Sequence, residues 1–588
     1  PRSGATIPAP AAAAKNTSTA TAPERVPTCV DNPAAKSEPD PYADRPTFWA
    51  RYGTGIWAAG VFVLTVVGTV LAFPPFNFAE FAYIALVPAL FWAYLRPGWR
   101  LYLGTVFAAQ TTAWFGLLFW LHHVTWGGLV LVALFLGALT SAWFTAVRWA
   151  LPQLPGRAIP LRLLGVVALA AAWVVQEWVR GWLFSGFPWL PLAASQWERS
   201  TILQLAAFTG AGGISFVLVM LNLGMAAFAH RLIREVHSGL NRRSQEFMLA
   251  LFLLIVCMAL HVQETFNRGR FSQEFVRLAL VQPYVPQTVK WNPADGPAIL
   301  RTLEELTLTA AATRPDLILW PEAVTPWAVR GDERVREFVE NLVARADVPL
   351  LLGSIAVEQR DTADERWFNG VMLVTPDFGL QPIYYAKRRL VPFGEFVPFR
   401  SVLGWIGKFV PIGDDFAPGQ DARPLVAGVR GGTLVVGPLL CYEDIFPGLA
   451  VSSVRSGSEL LLVLTNNGWF GEGGAAYQHA AHSVLRAVET RRPVIRVGNG
   501  GWSGWIDEFG SLREVLTDGQ GSVYFRGTRT FNVSRDVRWI DRNSFYVEHG
   551  DWFLLLCLGL MAAGYALLRL APPPAPADNP RLAATEPS

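Results

Sequence analysis

Three side chains that could do chemistry together each follow an apolar stretch of the length of a buried strand. Cys441 comes directly after the run 433–440, and Glu322 follows the run 316–320 after one proline. Lys387 follows Tyr384-Tyr-Ala. A Cys held at a strand end can attack a carbonyl carbon, with the next backbone N–H groups facing the oxyanion. The Glu would be general base and acid, and the Lys would stabilise the thiolate and the oxyanion. A lone Cys in such a place is often inert core, so the hypothesis depends on all three residues.

The sequence around these residues resembles the nitrilase superfamily, whose triad is Glu, Lys and Cys. A finer resemblance, from about residue 55 onward, is to the bacterial apolipoprotein N-acyltransferase family, which adds the third acyl chain to lipoproteins. It rests on Leu-Val-Pro-Phe-Gly-Glu at 390–395, Cys-Tyr-Glu at 441–443, Gln-His at 478–479 and Arg-Ala-x-Glu at 486–489. Asn467 stands where the family has Asp, which leaves any charge-dependent role of that position in doubt.

The resemblance implies supporting roles beside the triad. Glu395 would support the site, the Tyr442 N–H would donate to the oxyanion, and Trp291 would lie near the nucleophile. The alternative for Trp291 is an ordinary core aromatic. Glu443 would orient Lys387, or would be an exposed carboxylate.

The composition is that of a membrane protein. Of 588 residues, 52% are hydrophobic and only 16% are charged, with 24 Trp available for membrane interfaces. The net charge of +3 and the lack of a basic cluster with interleaved aromatics argue against nucleic acid as a partner. Four Cys give no disulfide framework, and nothing in their spacing predicts a metal or another cofactor.

Hydropathy predicts an α-helical membrane domain of about eight spans joined to an α/β sandwich of the nitrilase type. The spans are placed at 56–73, 80–95, 101–122, 127–147, 163–183, 203–230, 247–263 and 551–570. The domains predicted are a disordered tail (1–50), seven spans (51–267), an αββα catalytic domain (268–548), a last span (549–571) and a second tail (572–588).

The distribution of positive charge among the loops predicts how the protein is oriented in the membrane. Arg residues concentrate in the loops after spans two, four and six, whereas the intervening loops hold only Arg199. The positive-inside rule therefore places both termini in the cytoplasm and the catalytic domain outside the bacterial inner membrane.

Two further regions have open interpretations. The segment 393–416 is rich in large apolar residues, among them Trp405, Ile406 and Phe409, and is either a buried loop or an arm that dips into lipid. Glu177 and Arg180, three residues apart in the fifth span, are either a structural ion pair or a contact for a phospholipid headgroup.

The expected activity follows from the resemblance. A phospholipid would donate an acyl chain to Cys441, and the thioester would pass it to the α-amino group of an S-diacylglyceryl apolipoprotein in a ping-pong reaction. The chain is expected to act as a monomer. The rival interpretations are a membrane-anchored nitrilase or amidase, for which one span would suffice, and a transporter or lipid-binding receptor, which would not need an intact triad.

Overall fold

The computed structural model describes residues 48–235, 243–290, 292–398, 400 and 415–571. Chain contacts divide the protein into a unit of residues 1–53, described only in its last six residues, and a unit of residues 54–588. The membrane helices and the catalytic fold all belong to the second unit, apart from the start of the first helix.

Apolar helices form the N-terminal half of the described chain. In order they are α1 (Phe48–Leu71), α2 (Val87–Tyr94), α3 (Trp99–Leu117), α4 (Trp126–Ala150), α5 (Ile159–Arg180), α6 (Ser200–Leu203), α7 (Ala206–Thr209), α8 (Ala211–His230) and α9 (Gln245–Asn267). The last helix of the described chain, Trp552–Leu570, packs against α5.

Six helices in the described part of the chain are long and apolar enough to cross a membrane, so the predicted eight spans are not confirmed. They cover Gly53–Leu71, Trp126–Gln153, Ile159–Arg180, Ala211–Ile233, Gln245–Asn267 and Trp552–Leu570.

Two of the predicted spans are not helices long and apolar enough to cross a membrane. The second, 80–95, is a 3-10 turn at Ala79–Tyr83 followed by the eight residues of α2. The third, 101–122, ends at Leu117 as α3 and has a lower hydropathy, since it contains Gln110 and several Thr.

The sixth predicted span, 203–230, is not one continuous helix. The chain breaks between α7 and α8 at Gly210, whose φ is +67°. A Cβ there would lie 2.8 Å from the ring of Tyr546, so glycine provides both the left-handed backbone and the close approach. Hydropathy does not register this break because both sides are apolar.

Two six-stranded sheets form the catalytic fold. The first has the order β12-β1-β2-β3-β4-β5 and the second β11-β10-β9-β8-β7-β6. The strands are β1 (Ser272–Gln282), β2 (Leu317–Leu319), β3 (Leu350–Glu358), β4 (Arg366–Thr375), β5 (Gly379–Ala386), β6 (Leu425–Val429), β7 (Gly432–Leu440), β8 (Leu460–Thr465), β9 (Val494–Gly498), β10 (Gly504–Ile506), β11 (Leu512–Val515) and β12 (Gly527–Asp536).

The further α-helices of the described chain are α10 (Gln287–Lys290), α11 (Gly296–Ala311), α12 (Glu333–Ala346), α13 (Pro447–Arg455), α14 (Gly474–Thr490), α15 (Phe545–His549) and the closing helix α16 (Trp552–Leu570). Helices α11 and α12 pack on the first sheet, and α13 and α14 pack on the second. Successive side chains of a strand point to opposite faces of its sheet. In β8, Leu462 and Leu464 face the first sheet, whereas Leu461 and Val463 face the helices. This is the αββα sandwich that the sequence predicts.

One of the two helix layers also packs on the membrane helices. Leu461 and Val463, together with Ala480 and Val484 of α14, belong to the same apolar core as the side chains of α2 to α8. The core of the first sheet, with α11 and α12, is separate from it. The second sheet, which carries Cys441 at the end of β7, is therefore the one joined to the membrane helices.

Candidate active site

A buried lysine joins two carboxylates at the end of the first sheet. Lys387 follows β5 and is 1% exposed; its Nζ lies 3.1 Å from Oε1 of Glu322 and 2.8 Å from Oε1 of Glu395. Asn369, in the middle of β4, donates from Nδ2 to the same two oxygens at 2.9 and 3.0 Å. Gly353 of β3 lets the chain before Glu322 approach closely, since a Cβ there would lie 2.5 Å from the carbonyl oxygen of Pro321.

These contacts fix the charges of the cluster. Burial alone would lower the pKa of Lys387, but Glu322 and Glu395 raise it well above its usual value. Burial likewise acts to raise the pKa of Glu322, but Lys387 and the hydrogen bond from Asn369 bring it below its usual value. At neutral pH the site therefore holds an ammonium group and an ionised Glu322.

Cys441 begins the turn after β7 in a left-handed backbone conformation, with φ at +48°. Such a conformation is costly for a residue with a side chain and is typical of functional sites. Burial and the charge of Glu322 raise the pKa of the Cys441 thiol to about 12, against the charge of Lys387 and hydrogen bonds to Thr465 and the Asn466 backbone. The resting nucleophile is thus a neutral thiol beside an ionised carboxylate.

Glu443 is fully buried, which excludes the exposed alternative. Its Oε1 accepts the backbone N–H groups of Arg388 and Arg389 at 2.6 and 3.1 Å. Its Oε2 accepts the Leu440 N–H at 2.8 Å and the Tyr385 hydroxyl at 2.7 Å. Glu443 therefore ties the backbone after Lys387 to the strand before Cys441, through three backbone N–H groups and the Tyr385 hydroxyl.

Tyr442 connects the nucleophile turn to the membrane region. Its hydroxyl donates to the carbonyl oxygen of Gly186 at 2.6 Å, in the loop after α5. Its ring stacks on that of Phe187 with centroids 6.4 Å apart. These contacts are made by the side chain of Tyr442, and its N–H as oxyanion donor stays a prediction.

A second polar network lies behind Cys441. Asp444 accepts hydrogen bonds from His479 Nε2, Ser483 and Arg496 at 2.7 to 2.8 Å, all of them buried. His479 Nε2 also lies 3.1 Å from the Cys441 carbonyl oxygen, and its Nδ1 faces the Asn467 side-chain oxygen at 3.3 Å. Burial acts against ionisation of Asp444, but His479 and Arg496 hold its pKa below the usual range. The resemblance identified Gln478-His479 as a motif without indicating this network.

Gln478 makes four hydrogen bonds between the catalytic fold and the membrane region. Its Oε1 accepts from the indole N–H groups of Trp120 and Trp189 at 2.9 and 3.0 Å. Its Nε2 donates to the carbonyl oxygens of Pro74 and Leu117 at 3.0 and 2.9 Å. One buried amide thereby fixes three loops of the membrane region beside the nucleophile turn.

The Glu177–Arg180 pair does not form the structural ion pair considered from the sequence. Glu177 Oε1 instead accepts from Trp173 Nε1 at 2.9 Å and from the Leu192 N–H at 2.7 Å. Arg180 is buried with its guanidinium over the Trp114 ring at 5.1 Å, and its Nε and Nη2 meet no hydrogen-bond acceptor among the described residues.

Arg180 and Glu177 line a cavity of about 40 Å³ between α1, α3, α4 and α5. Other polar side chains that line it also have atoms without a hydrogen-bond partner in the described chain: Thr69 Oγ1, Gln110 Nε2 and Gln176 Nε2. We call this cavity, lined by Arg180, Thr69, Gln110 and Gln176, the donor-lined cavity.

Four predicted site residues lie outside the described residues: Trp291, Trp405, Ile406 and Phe409. Two buried polar residues of the site were missed from the sequence, Asn369 and Lys290. Asn369 is a polar residue amid the apolar strand β4, and Lys290 precedes Trp291 in the motif that opens the catalytic fold. Those were the available signals. Among the described residues there is no group of His, Cys, Asp and Glu able to hold a metal ion.

Comparison with known proteins gives the class of the chain in two parts. Residues 66–224 match the model of the apolipoprotein N-acyltransferase N-terminal domain, and residues 277–529 match that of the carbon-nitrogen hydrolases. A solved CN-hydrolase superfamily protein from Xanthomonas campestris is 20% identical over 45% of this chain and 92% of its own, with a TM-score of 0.33. The chain thus combines a carbon-nitrogen hydrolase domain with apolar helices able to span a membrane.

Full-length relatives define the family. The apolipoprotein N-acyltransferase of Geobacter metallireducens is 30% identical over 86% of this chain and 94% of its own length. That of Methylococcus capsulatus is 33% identical over 76% of this chain and 86% of its own length. The chain belongs to the apolipoprotein N-acyltransferase family and is an acyltransferase enzyme.

Proposed function

We propose that this enzyme moves an acyl chain from a membrane phospholipid to the α-amino group of an S-diacylglyceryl lipoprotein, through a thioester on Cys441. The observation that carries the proposal is the buried Lys387, shared by Glu322 and Glu395 and electrostatically coupled to the thiol. No step of this reaction requires a metal or an organic cofactor.

The first half-reaction starts from the neutral thiol. Glu322 takes the proton from Cys441, the sulfur attacks the ester carbonyl, and Lys387 stabilises the negative charge that develops. The C–O bond then breaks, and Glu322 returns the proton to the departing lysophospholipid oxygen. The acyl chain is left on sulfur, so that the two lipids can use one pocket in turn.

We propose supporting roles from the contacts of the site. Glu395 and Asn369 hold Lys387 and Glu322 in place, and Glu443 ties the lysine backbone to the nucleophile strand. The Tyr442 N–H is our candidate oxyanion donor, and Trp291 is placed near the site by the family motif alone.

The location of the enzyme is also a proposal. It is a membrane protein whose substrates are a phospholipid and a lipoprotein; the Arg distribution supports both termini in the cytoplasm and the catalytic domain outside the inner membrane. The domains proposed remain 1–50, 51–267, 268–548, 549–571 and 572–588. A monomer that binds no nucleic acid remains the prediction from the sequence.

Two regions are proposed to meet lipid. Trp405, Ile406 and Phe409 would guide acyl chains, on the strength of their apolar sequence context alone. The donor-lined cavity suits a group rich in acceptor oxygens, such as a phosphodiester, because Arg180, Gln110, Gln176 and Thr69 all present atoms without partners there.

The experiment is mass spectrometry of the purified protein in phospholipid nanodiscs. We expect an acyl chain on Cys441 that disappears when a diacylglyceryl lipopeptide is added, with the N-acylated peptide as product. Cys441→Ala is the control and should carry no chain. An amidase would instead release free acid to water, and a transporter would show no covalent adduct.

A further inference from the structure

The backbone carbonyl of the nucleophile is bonded by a buried side chain. His479 lies in α14, and its Nε2 is 3.1 Å from the Cys441 carbonyl oxygen and 2.8 Å from Oδ1 of Asp444. Both of these oxygens only accept, since a carbonyl has no hydrogen to give and the Asp444 carboxyl is held ionised. Nε2 therefore carries a hydrogen and donates it to both oxygens.

The surroundings of the imidazole ring keep it in this tautomer. Burial and the charge of Arg496 hold the pKa of His479 below its usual value, against the attraction of Asp444. At neutral pH the ring therefore has one proton, and that proton is on Nε2. Nδ1 lies 3.3 Å from the side-chain oxygen of Asn467, a neutral group that draws no second proton onto the ring. His479 is thus a fixed donor toward Cys441.

The carbonyl that His479 bonds belongs to the same peptide group as the Tyr442 N–H. The peptide bond between Cys441 and Tyr442 is trans. In a planar trans peptide the C=O and the N–H point in opposite directions, so a donor that holds the carbonyl also sets the direction of the N–H. Tyr442 is the second residue of a 3-10 turn, where N–H groups have no acceptor within the turn. Its N–H is therefore directed away from α14 and is available to a ligand.

That direction leads toward the catalytic carboxylate and ammonium group. Helix α14 packs on the face of the second sheet that is joined to the membrane helices, whereas Leu440, directly before Cys441, belongs to the core between the two sheets. Glu322 and Lys387 follow strands of the first sheet. An N–H directed away from α14 therefore points toward the side of the site where the substrate carbonyl would react.

We propose that His479 is the positioning residue of the oxyanion site, which orients the Cys441–Tyr442 peptide and strengthens the Tyr442 N–H as a donor to the tetrahedral intermediates. The inference rests on the proposed thioester mechanism. His479 acts through the peptide, because hydrogen bonds in a chain polarise one another and a bond to the C=O makes the N–H a better donor. The same bond helps to hold Cys441 in its left-handed conformation, with φ at +48°, which is costly for a residue with a side chain.

Both half-reactions form an oxyanion at the same position. The thiol of Cys441 attacks the ester carbonyl in the first, and the acceptor amine attacks the thioester carbonyl in the second. His479 neither gains nor loses a proton in either step. Loss of its hydrogen bond should therefore slow both half-reactions by a similar factor.

The test compares two reactions of Cys441 in His479→Leu, which keeps much of the bulk of the ring but has no donor. Enzyme in lipid-free detergent is mixed with phospholipid or with iodoacetamide, and mass spectrometry follows the peptide that contains Cys441. Acylation forms an oxyanion, whereas iodoacetamide loses iodide from a saturated carbon and forms none. We expect acylation to slow by at least ~10-fold, less than the ~10²–10³-fold cost of losing an oxyanion donor itself, and alkylation to change only a few-fold.

The second half-reaction gives a further check. A diacylglyceryl lipopeptide added to the thioester form of His479→Leu should be acylated more slowly than by the wild type, by a factor close to that found for thioester formation.

Two variants separate positioning from packing. His479→Gln keeps an N–H donor close to the position of Nε2 and should recover most of the acylation rate that His479→Leu loses. Ser483→Ala is the matched control, because Ser483 lies on the same helix and donates to Asp444 at 2.7 Å without a hydrogen bond to Cys441 in the described chain. It should lower the apparent Tm but leave the ratio of acylation to alkylation at the wild-type value.

Equal losses of acylation and alkylation in His479→Leu would show that the histidine only supports the nucleophile turn, and the assignment would be wrong. A His479→Gln enzyme no faster than His479→Leu would overturn it as well, as would the same change of ratio in Ser483→Ala. Absence of a thioester in the wild-type enzyme would instead contradict the proposed function itself.

Discussion

Two buried cations, Lys387 between the sheets and Arg180 between the membrane helices, have opposite surroundings. The ammonium group of Lys387 contacts the carboxylates of Glu322 and Glu395, which also accept hydrogen bonds from Asn369, and Glu395 accepts a further one from the Val391 N–H. Arg180 lies on a Trp ring, and two of its nitrogens meet no acceptor in the described chain. The first cation is complete without a ligand, as a preorganised catalytic site must be. The second has capacity left for a ligand or water.

The largest effect is expected at the nucleophile. Cys441→Ala should abolish both the thioester and lipopeptide acylation while the apparent Tm changes by only a few degrees, since a small side chain is lost from an edge of the core. Mass spectrometry and a thermal unfolding curve in detergent check the two parts. Transfer by a folded Cys441→Ala enzyme would rule out covalent catalysis.

Glu322→Gln should slow acylation of Cys441 by at least ~10²-fold with a nearly unchanged apparent Tm. The amide keeps the shape and an oxygen for Lys387 and Asn369 but cannot take the thiol proton. Single-turnover formation of the thioester is the measurement. A rate near that of the wild type would show that another group is the base.

Lys387→Met should lose both activity and stability. It leaves Glu322 and Glu395 buried without their cation, which costs about 3–5 kcal/mol when one partner of a buried pair is removed. The apparent Tm in detergent is the readout, compared with that of Lys387→Met combined with Glu322→Gln, which should recover part of the loss. No recovery in the double variant would mean that the pair is not coupled.

The sequence predicted the triad because each member stands in a local pattern, an apolar strand followed by a chemical group. It did not predict Asn369, because a polar residue inside an apolar strand has many possible partners, and only the pairing of β4 with β5 sets it beside Lys387. Lys290 was missed for a similar reason: the segment before it is held through Val285 and Gln287 by Asn499 and Asn466, far along the chain.

The membrane region was predicted less well than the sandwich. The two apolar runs that predict buried strands, 316–320 and 433–440, agree with β2 (Leu317–Leu319) and β7 (Gly432–Leu440) to within one residue at each end, because a short apolar run of strand length marks them. Hydropathy marks the length of an apolar segment but not whether its helix is continuous. The segment broken at Gly210 and the segment that contains the short α2 were therefore both predicted as spans. The spacing of Glu177 and Arg180 likewise suggests that the two side chains pair. In the structure, however, Glu177 accepts a hydrogen bond from the backbone N–H of Leu192 in the following loop.

A smaller effect is expected where the two regions meet. Gln478→Leu should lower the apparent Tm by the equivalent of about 1–3 kcal/mol, because it leaves two carbonyls and two indole N–H groups without their partner. The rate of thioester formation should fall by more than this loss of stability explains, since Trp189 also packs on His479 behind Cys441. A thermal curve and a single-turnover assay check this, and an unaffected Tm would show that water replaces the amide.

The smallest effect, and the one that tests the comparison most directly, is expected for Arg180→Met in lipid-free detergent. Removing a buried guanidinium whose Nε and Nη2 meet no acceptor in the described chain costs little, and the lost contact with Trp114 is worth only about 0.5–2 kcal/mol. The apparent Tm should therefore stay within a few degrees of the wild type. Added phospholipid should raise the Tm of the wild type more than that of Arg180→Met, because a ligand stabilises only the form it binds.

Arg162 on the same helix is the matched control, since it forms an ion pair with Glu246 at 2.9 Å. Arg162→Met should lower the Tm equally with and without phospholipid, because it removes an ion pair within the protein. If Arg180→Met instead behaves like Arg162→Met, its guanidinium nitrogens are already satisfied by bound water, and the donor-lined cavity is a hydrated structural site. A lipid-dependent difference confined to Arg180 would establish that its guanidinium, unlike the ammonium group of Lys387, is completed by a phospholipid.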